Sequence, residues 1–314
     1  MTNAEPLDFL TDFPPVGEPR FWDYAPDRRL AWNEYGDPAG KPVLYYHGWP
    51  SSRLQARLAH RLALDRGLRL VAMDRPGMGK STFEPGRKLS SWPGLMERFA
   101  DSLGFGEFAQ LAVSGGAPYA LACAARIPDR LTRTAILAGA VPLDGLSDGR
   151  KGLHPVYRMM IPLRHAPAGI FTAFFRVAAL GASFHPERPP MSWLLGSVAK
   201  EDRRVLCENP DVWAVIVKSF REGVLGGGGR GVMGDAEIFL QPIDLELPEI
   251  SHPIRYWHGV DDRNIPLSMA RELTGKIPGA RLTVDESLGH FSLVLRLAPV
   301  AMDYLAERAI DGSD

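Results

Sequence analysis

Residues 110–124 read QLAVSGGAPYALACA. A strand-like apolar run, FAQLAV at 108–113, leads into Ser114 and two glycines, and an alanine-rich helical pattern, APYALACAARIP at 117–128, follows at once. Strand, sharp turn and helix is the order a nucleophile elbow requires, because the turn must lift a serine hydroxyl clear of the backbone. Such a turn is crowded, so the residues two before and two after the serine must be small. Ala112 and Gly116 stand there. The same spacing also occurs in ordinary Gly-rich loops, so the status of Ser114 depends on the partners the rest of the chain supplies.

Outward from this stretch, strand and helix patterns alternate. LAWNEYG at 30–36, VLYYH at 43–47, LRLVAMD at 68–74 and RTAILAGAV at 133–141 read as strands. SSRLQARLAHRLALDRG at 51–67 and SWPGLMERFADSLG at 91–104 carry apolar residues at helical spacing. This alternation predicts an α/β fold with a mostly parallel central sheet flanked by helices. The rhythm stops near residue 142. Between 143 and 250 come helical pieces rich in large apolar residues, VYRMMIPL, GIFTAFFRVAAL, SWLLGSVA and DVWAVIVKSF, with no strand pattern. The rhythm resumes with IRYWHGV at 254–260, LSMARELTGKI, RLTVDE and a closing helix from residue 292. The expected organisation is a core of residues 1–142 and 251–314 with a helical cap at 143–250.

The chain has 314 residues, 45% hydrophobic and 23% charged, with a formal net charge of −1. That balance excludes the basic footprint of a nucleic-acid binder. Two cysteines, Cys123 and Cys207, form neither a disulfide framework nor a metal-ligand spacing. The acidic, Pro-rich N-terminus lacks a secretory pattern, and no uncharged apolar run reaches the ~20 residues of a membrane span. A cytoplasmic protein with a loose N-terminal arm is expected. Two glycine motifs are decoys. GMGKS at 77–81 resembles the end of a phosphate-binding loop, but Asp74 stands where that motif needs its first glycine. GGGGRG at 226–231 follows a helical pattern where a dinucleotide fingerprint needs a strand, and reads as a flexible connector.

A serine hydroxyl needs a base, and the base needs an orienting carboxylate, in the chain order Ser, acid, His on this topology. His290, in ESLGHFSLV, falls between the last strand and the last helix, at the sheet edge where Ser114 also stands. His60, His154, His165 and His185 lie on helical patterns and read as ordinary structural residues. Asp261 and Asp262, in WHGVDDRNIP, follow a strand. Neighbours on an extended stretch point apart, so only one of them can face the imidazole. Asp144, after another strand, is a further carboxylate candidate. For an oxyanion hole, one donor would be the N–H of Gly115 and the other the N–H of Trp49, in the YYHGWPSS loop. His47 reads as a brace for that loop.

Five places together resemble the α/β-hydrolase family: HGWP at 47–50, MDRPGMGKS at 73–81, AVSGG at 112–116, HGVDDRNIP at 258–266 and GHF at 289–291. The resemblance covers residues 28–142 and 250–310. It implies that the acid is Asp262, three after Gly259 and four before Pro266, and that residues 143–250 form a cap over the site. It departs from the family in having Ala112 where Gly is commoner. Branches with an Asp nucleophile are excluded by Ser114. The expected activity is serine esterase or lactonase chemistry on a small apolar substrate, with catalytic Ser114, Asp262 and His290, oxyanion donors Trp49 and Gly115, and no metal or organic cofactor. C–C bond hydrolysis or perhydrolysis by the same triad, and a non-catalytic small-ligand binder, are the alternatives. The cap aromatics Tyr157, Phe171, Phe174, Phe175, Trp193, Trp213 and Phe220, with Met159 and Met160, are expected mostly to pack the cap's own core.

Overall fold

A computed structural model describes residues 7–11, 13–140, 153, 158, 168–182, 185–189, 191–241 and 244–307. Eight strands form one sheet: β1 (Arg20–Ala25), β2 (Arg28–Gly36), β3 (Lys41–Tyr46), β4 (Leu68–Met73), β5 (Phe108–Val113), β6 (Leu131–Leu137), β7 (Ile254–Gly259) and β8 (Ala280–Asp285). Their spatial order is β1-β2-β4-β3-β5-β6-β7-β8. β1 and β2 join antiparallel at one edge, and the strands from β4 to β8 are parallel. The carboxyl ends of β3, β5 and β7 therefore share one edge, which is where ligands sit in open parallel sheets.

The near-continuous apolar strands face helices on both sides. Leu44, Tyr46, Val71, Met73 and Ala112 join one buried cluster with α2 (Trp92–Ser102), α3 (Ala117–Arg126) and α9 (Leu267–Gly275). Val43, Tyr45, Leu70, Ala72, Leu111 and Val113 join another with α1 (His60–Asp65) and α10 (His290–Ala306). Cys123 lies in the first cluster, its thiol pushed up to about 12 by burial. The pattern at 51–67 is not one helix. Ser52 caps a 3-10 turn over Arg53–Ala59, and only His60–Asp65 is α-helical. β1 has no clear alternation in sequence; it is an edge strand whose residues are at best half-buried.

Between β6 and β7 the described residues form only helices: α4 (Ala168–Gly181), α5 (Met191–Leu195), α6 (Lys200–Glu208), α7 (Pro210–Leu225) and α8 (Arg230–Leu240). Tyr157, Met159, Met160, His154, His165 and Asp144 lie outside the described residues. Phe171 and Phe175 pack in the insertion with Val224 and Val232, and Trp49 of the core joins them. Trp193 does not pack there: it is 74% exposed. The GGGG run is no loose connector. A Cβ at Gly226 would lie 1.9 Å from the Gly79 carbonyl oxygen, and one at Gly227 would lie 1.7 Å from that of Gly77. The two glycine decoys thus meet backbone to backbone, an approach only glycine permits. Nor is the N-terminal arm wholly loose, since Leu10 is buried among Leu195, Leu206 and Trp213, and Arg57 donates to the Pro14 carbonyl at 2.8 Å. No helix among the described residues is long and apolar enough to cross a membrane.

Candidate active site

β5 is buried at every position and ends at Val113. Ser114 then takes φ +49°, a left-handed conformation that costs a non-glycine residue roughly 1–3 kcal/mol. The surroundings hold it there. A Cβ at Gly116 would lie 2.2 Å from the Tyr46 carbonyl oxygen, so a glycine lets the start of α3 press against the end of β3. The Ser114 carbonyl accepts the Ala140 N–H at 2.8 Å. The hydroxyl is left half-buried, at the positive end of α3.

The structure brings Ser114, His290 and Asp262 together from three sheet connections. His290 Nε2 is 3.0 Å from Ser114 Oγ, and His290 Nδ1 is 2.7 Å from Asp262 Oδ2. The other Asp262 oxygen accepts the N–H groups of Asn264 and Ile265 at 2.8 and 2.9 Å. Asp261 is exposed and holds the loop only through its backbone, its N–H donating to the Leu288 carbonyl at 3.1 Å. Burial alone would lower the basicity of His290, but the Asp262 charge and hydrogen bond outweigh it, and Asp202 adds to them, so the imidazole is held above its ordinary value. Burial would raise Asp262, but His290 and its other donors keep that carboxyl below the usual range.

The second arm is the loop after β3. The Gly48 N–H donates to Gln55 Oε1 at 2.7 Å, and the Tyr45 hydroxyl donates to the same oxygen at 3.1 Å. A Cβ at Gly115 would lie 2.5 Å from Trp49 Cβ and 2.9 Å from the Trp49 nitrogen, so the Trp49 and Gly115 backbones lie side by side and Gly115 must lack a side chain. His47 is buried. Its Nε2 accepts the Arg75 N–H at 3.3 Å, which leaves Nδ1 to donate to the Gly48 carbonyl at 2.8 Å. Burial, then the nearby Arg75, keep that imidazole neutral. Both its nitrogens are engaged away from Ser114, so it braces the loop.

Several contributors carry no local motif. Arg75 reaches the Gly48 carbonyl at 3.0 Å while its Nε pairs with Asp235 of α8 at 2.7 Å. Arg53 pairs with Asp74 at 2.6 Å and with Glu222 of α7 at 3.0 Å. The GMGKS loop curls around that Asp74 carboxylate, whose Oδ2 accepts the Lys80 N–H at 2.9 Å, so the place a phosphate would need is filled by an anion. His258 of β7 is fully buried. It donates to the Ile265 carbonyl at 2.8 Å and lies 3.4 Å from Asp262 Oδ2. Burial, its largest influence, keeps it neutral despite that neighbour. Among the described residues no group of three His, Cys, Asp or Glu side chains could hold a metal ion.

Ser114 and His290 open into a cavity of about 300 Å³ under the insertion. Leu58, Leu195, Trp213, Ile216, Phe220 and Val294 give it apolar walls, with Gln55 and Asn264 among its few polar residues. Of the described lining residues only His290 is ionisable.

Residues 41–174 match the alpha/beta hydrolase fold family. Solved structures of that fold superpose on nearly the whole chain. An enol-lactonase from Burkholderia xenovorans LB400 does so with TM-score 0.64 at 18% identity, over 92% of this chain and 100% of that one. This chain is an α/β-hydrolase-fold protein. Among characterised relatives, a non-heme haloperoxidase of Rhodococcus erythropolis is 24% identical over 85% of this chain and 92% of its own length. A poly(3-hydroxyalkanoate) depolymerase of Ectopseudomonas oleovorans is 24% identical over 87% of each chain.

Proposed function

We propose that this α/β-hydrolase-fold protein is a serine hydrolase that cleaves a neutral, small apolar carboxylic ester or lactone through an acyl-enzyme. The observation that carries the reading is the unbroken line from Asp262 through His290 to Ser114, ending in an apolar cavity. Ser114 Oγ attacks the carbonyl carbon as its proton passes to His290 Nε2. The carbonyl electrons move onto oxygen, where the N–H groups of Trp49 and Gly115 hold them. Collapse expels the alcohol, which takes the proton from His290. Water then gives a proton to the same nitrogen, attacks the acyl carbon and releases the acid and Ser114. Asp262 keeps the proton on Nδ1 and stabilises the imidazolium.

The cavity sets the substrate class. At about 30 Å³ for each water-sized group, its volume takes roughly ten non-hydrogen atoms. With no described cation in the wall, a carboxylate or phosphate would enter unpaired, at a cost of several kcal/mol. The likeness to a protein named haloperoxidase favours one second reading, perhydrolysis, in which hydrogen peroxide replaces water in the second half-reaction.

The test is labelling of the purified protein with a fluorophosphonate, peptide mapping of the adduct, and turnover on p-nitrophenyl esters of rising acyl length with and without peroxide. The expected adduct is on Ser114, with best turnover on short and medium acyl chains. An adduct elsewhere, or no turnover on any neutral ester, refutes the reading.

A further inference from the structure

His290 is the first residue of α10, and the group that holds this helix end comes from the insertion. Asp202, on α6, is 1% exposed. Its Oδ2 accepts the backbone N–H of His290 at 2.9 Å. Its Oδ1 accepts the Ser292 N–H at 2.8 Å and the Ser292 hydroxyl at 2.6 Å. That hydroxyl accepts the Gly289 N–H at 2.8 Å, so its own proton points to Asp202. Three donors thus converge on one carboxyl group. The approach is close: a Cβ at Gly289 would lie 2.5 Å from Asp202 Oδ2 and 2.5 Å from Ala199 Cβ. Further along the same contact, Arg296 of α10 pairs with Glu201 of α6 at 3.0 Å.

We propose that Asp202 is a positioning residue for His290, fixing the backbone from which the imidazole projects and placing a second negative charge beside it. The insertion then supplies part of the catalytic assembly as well as the cavity wall. This inference rests on reading Ser114, His290 and Asp262 as the hydrolytic triad. Among the described residues, three charged or titratable groups face the imidazole: Asp262 from the loop after β7, His258 of β7 behind it, and Asp202 from α6. Burial lowers the basicity of His290; Asp262 first and then Asp202 raise it. His258 stays neutral through burial. Removing the Asp202 charge therefore makes the imidazolium easier to deprotonate, while loss of its hydrogen bonds lets the ring drift from Ser114.

The test compares wild type, Asp202→Asn and Glu201→Gln. Asn keeps the shape of Asp but turns an NH₂ toward a backbone N–H, whereas Glu201→Gln weakens the same helix contact without touching residues 289–292. The readouts are the His290 titration by NMR, the acid limb of kcat/KM on an activated ester, and the fluorophosphonate labelling rate. For Asp202→Asn the His290 pKa and the acid limb are expected to fall together. Labelling is expected to slow about 10- to 100-fold, the scale of a displacement of order 1 Å in a reacting group, at unchanged KM. Glu201→Gln is expected to match wild type in all three. If Asp202→Asn does not fold, Asp202→Ser, which puts a neutral hydroxyl on α6 in place of the carboxylate, carries the same expectations. A folded Asp202 variant with a wild-type His290 titration and labelling rate overturns the proposal, as does an equal loss in Glu201→Gln. Wild type that neither labels nor hydrolyses refutes the hydrolase reading instead, and the NMR titration still reports on Asp202.

Discussion

Asp262→Asn is the substitution whose cost follows most directly from the geometry. The described partners of the carboxylate are all donors: the N–H groups of Asn264 and Ile265 on one oxygen, and His290 Nδ1 on the other with His258 Nε2 3.4 Å away. An amide has one oxygen to offer. If that oxygen keeps the two loop N–H groups, the new NH₂ faces His290 Nδ1. The imidazole must then accept at Nδ1 and carry its proton on Nε2, the atom 3.0 Å from Ser114 Oγ, where it can no longer take the serine proton. The same tautomer error in serine proteases costs about 10,000-fold in turnover. At about 1.4 kcal/mol per tenfold, that is roughly 5 kcal/mol of barrier. The reverse orientation leaves a loop N–H facing an NH₂, which costs roughly 1–3 kcal/mol of stability instead. Asp261→Asn is the internal control: its side chain is exposed, and its backbone contact survives the change, so activity is expected within about threefold of wild type. The assay is steady-state turnover of both variants on one p-nitrophenyl ester, with circular dichroism to confirm folding. Folded Asp262→Asn within tenfold of wild type, or a crippled Asp261→Asn, refutes the reasoning.

Ser114→Ala is expected to fold normally and to lose at least a thousandfold in turnover together with all fluorophosphonate labelling, checked by intact-mass spectrometry. Because the base must be neutral and Asp262 outweighs burial in holding His290 above its ordinary value, kcat/KM is expected to fall as pH drops through a point above about 6.5, read from a pH–rate profile. His252 is lowered to about 4 by burial, and its Nε2 sits 3.0 Å from the Thr134 hydroxyl. The unfolded chain takes up a proton near pH 6.5 and the folded one only near 4, so stability is whole above 6.5 and is lost as pH falls between the two. Urea unfolding at pH 7 and pH 4.5 is expected to show up to roughly 3 kcal/mol less acid loss in His252→Gln.

The legible parts of this molecule are those encoded within a few residues. The strand, turn and helix around Ser114 are legible because a strand pattern, small residues and a helix pattern abut there. The residues alone leave Asp261 and Asp262 open; the resemblance implies Asp262 through its place between Gly259 and Pro266, and the structure buries Asp262 and exposes Asp261. What escaped is long-range or atypical. Asp202 meets His290 across 88 positions, and nothing local in KEDRRVLCE marks one of its acids as buried. Arg75 and Asp235 are 160 positions apart. The GGGG run reads as loose in the sequence because its partner, the Gly77–Gly79 loop, lies on a distant segment. Trp193 shows the converse: composition favours burying an indole, yet this one faces solvent.

Buried charges also tie the core to the insertion. The core buries three guanidinium groups, Arg53, Arg75 and Arg87, none more than 5% exposed at the side chain. Arg53 has a core partner in Asp74 and gains Glu222 from α7. For Arg75 and Arg87 the shared carboxylate is Asp235 of α8, which also accepts the Tyr119 hydroxyl at 2.6 Å. Burial would push that carboxyl up, but the two arginines outweigh it and hold it below the usual range. Removing one partner from a buried ion pair typically costs about 3–5 kcal/mol. Neutralising Asp235 would leave two cations over the ring of Tyr119. Arg75 is also the residue that holds the Gly48 carbonyl, and Ser219 of α7 bonds the Ser51 hydroxyl at 2.8 Å and accepts the Ser52 N–H at 3.1 Å. The loop that carries Trp49 is thus fixed on both sides by groups whose charges and hydroxyls are completed from the insertion. A different insertion grafted onto this core would have to bring a carboxylate to Arg75 and Arg87 before it could offer a new pocket, because the Trp49 loop and the cavity wall depend on the same ion pairs.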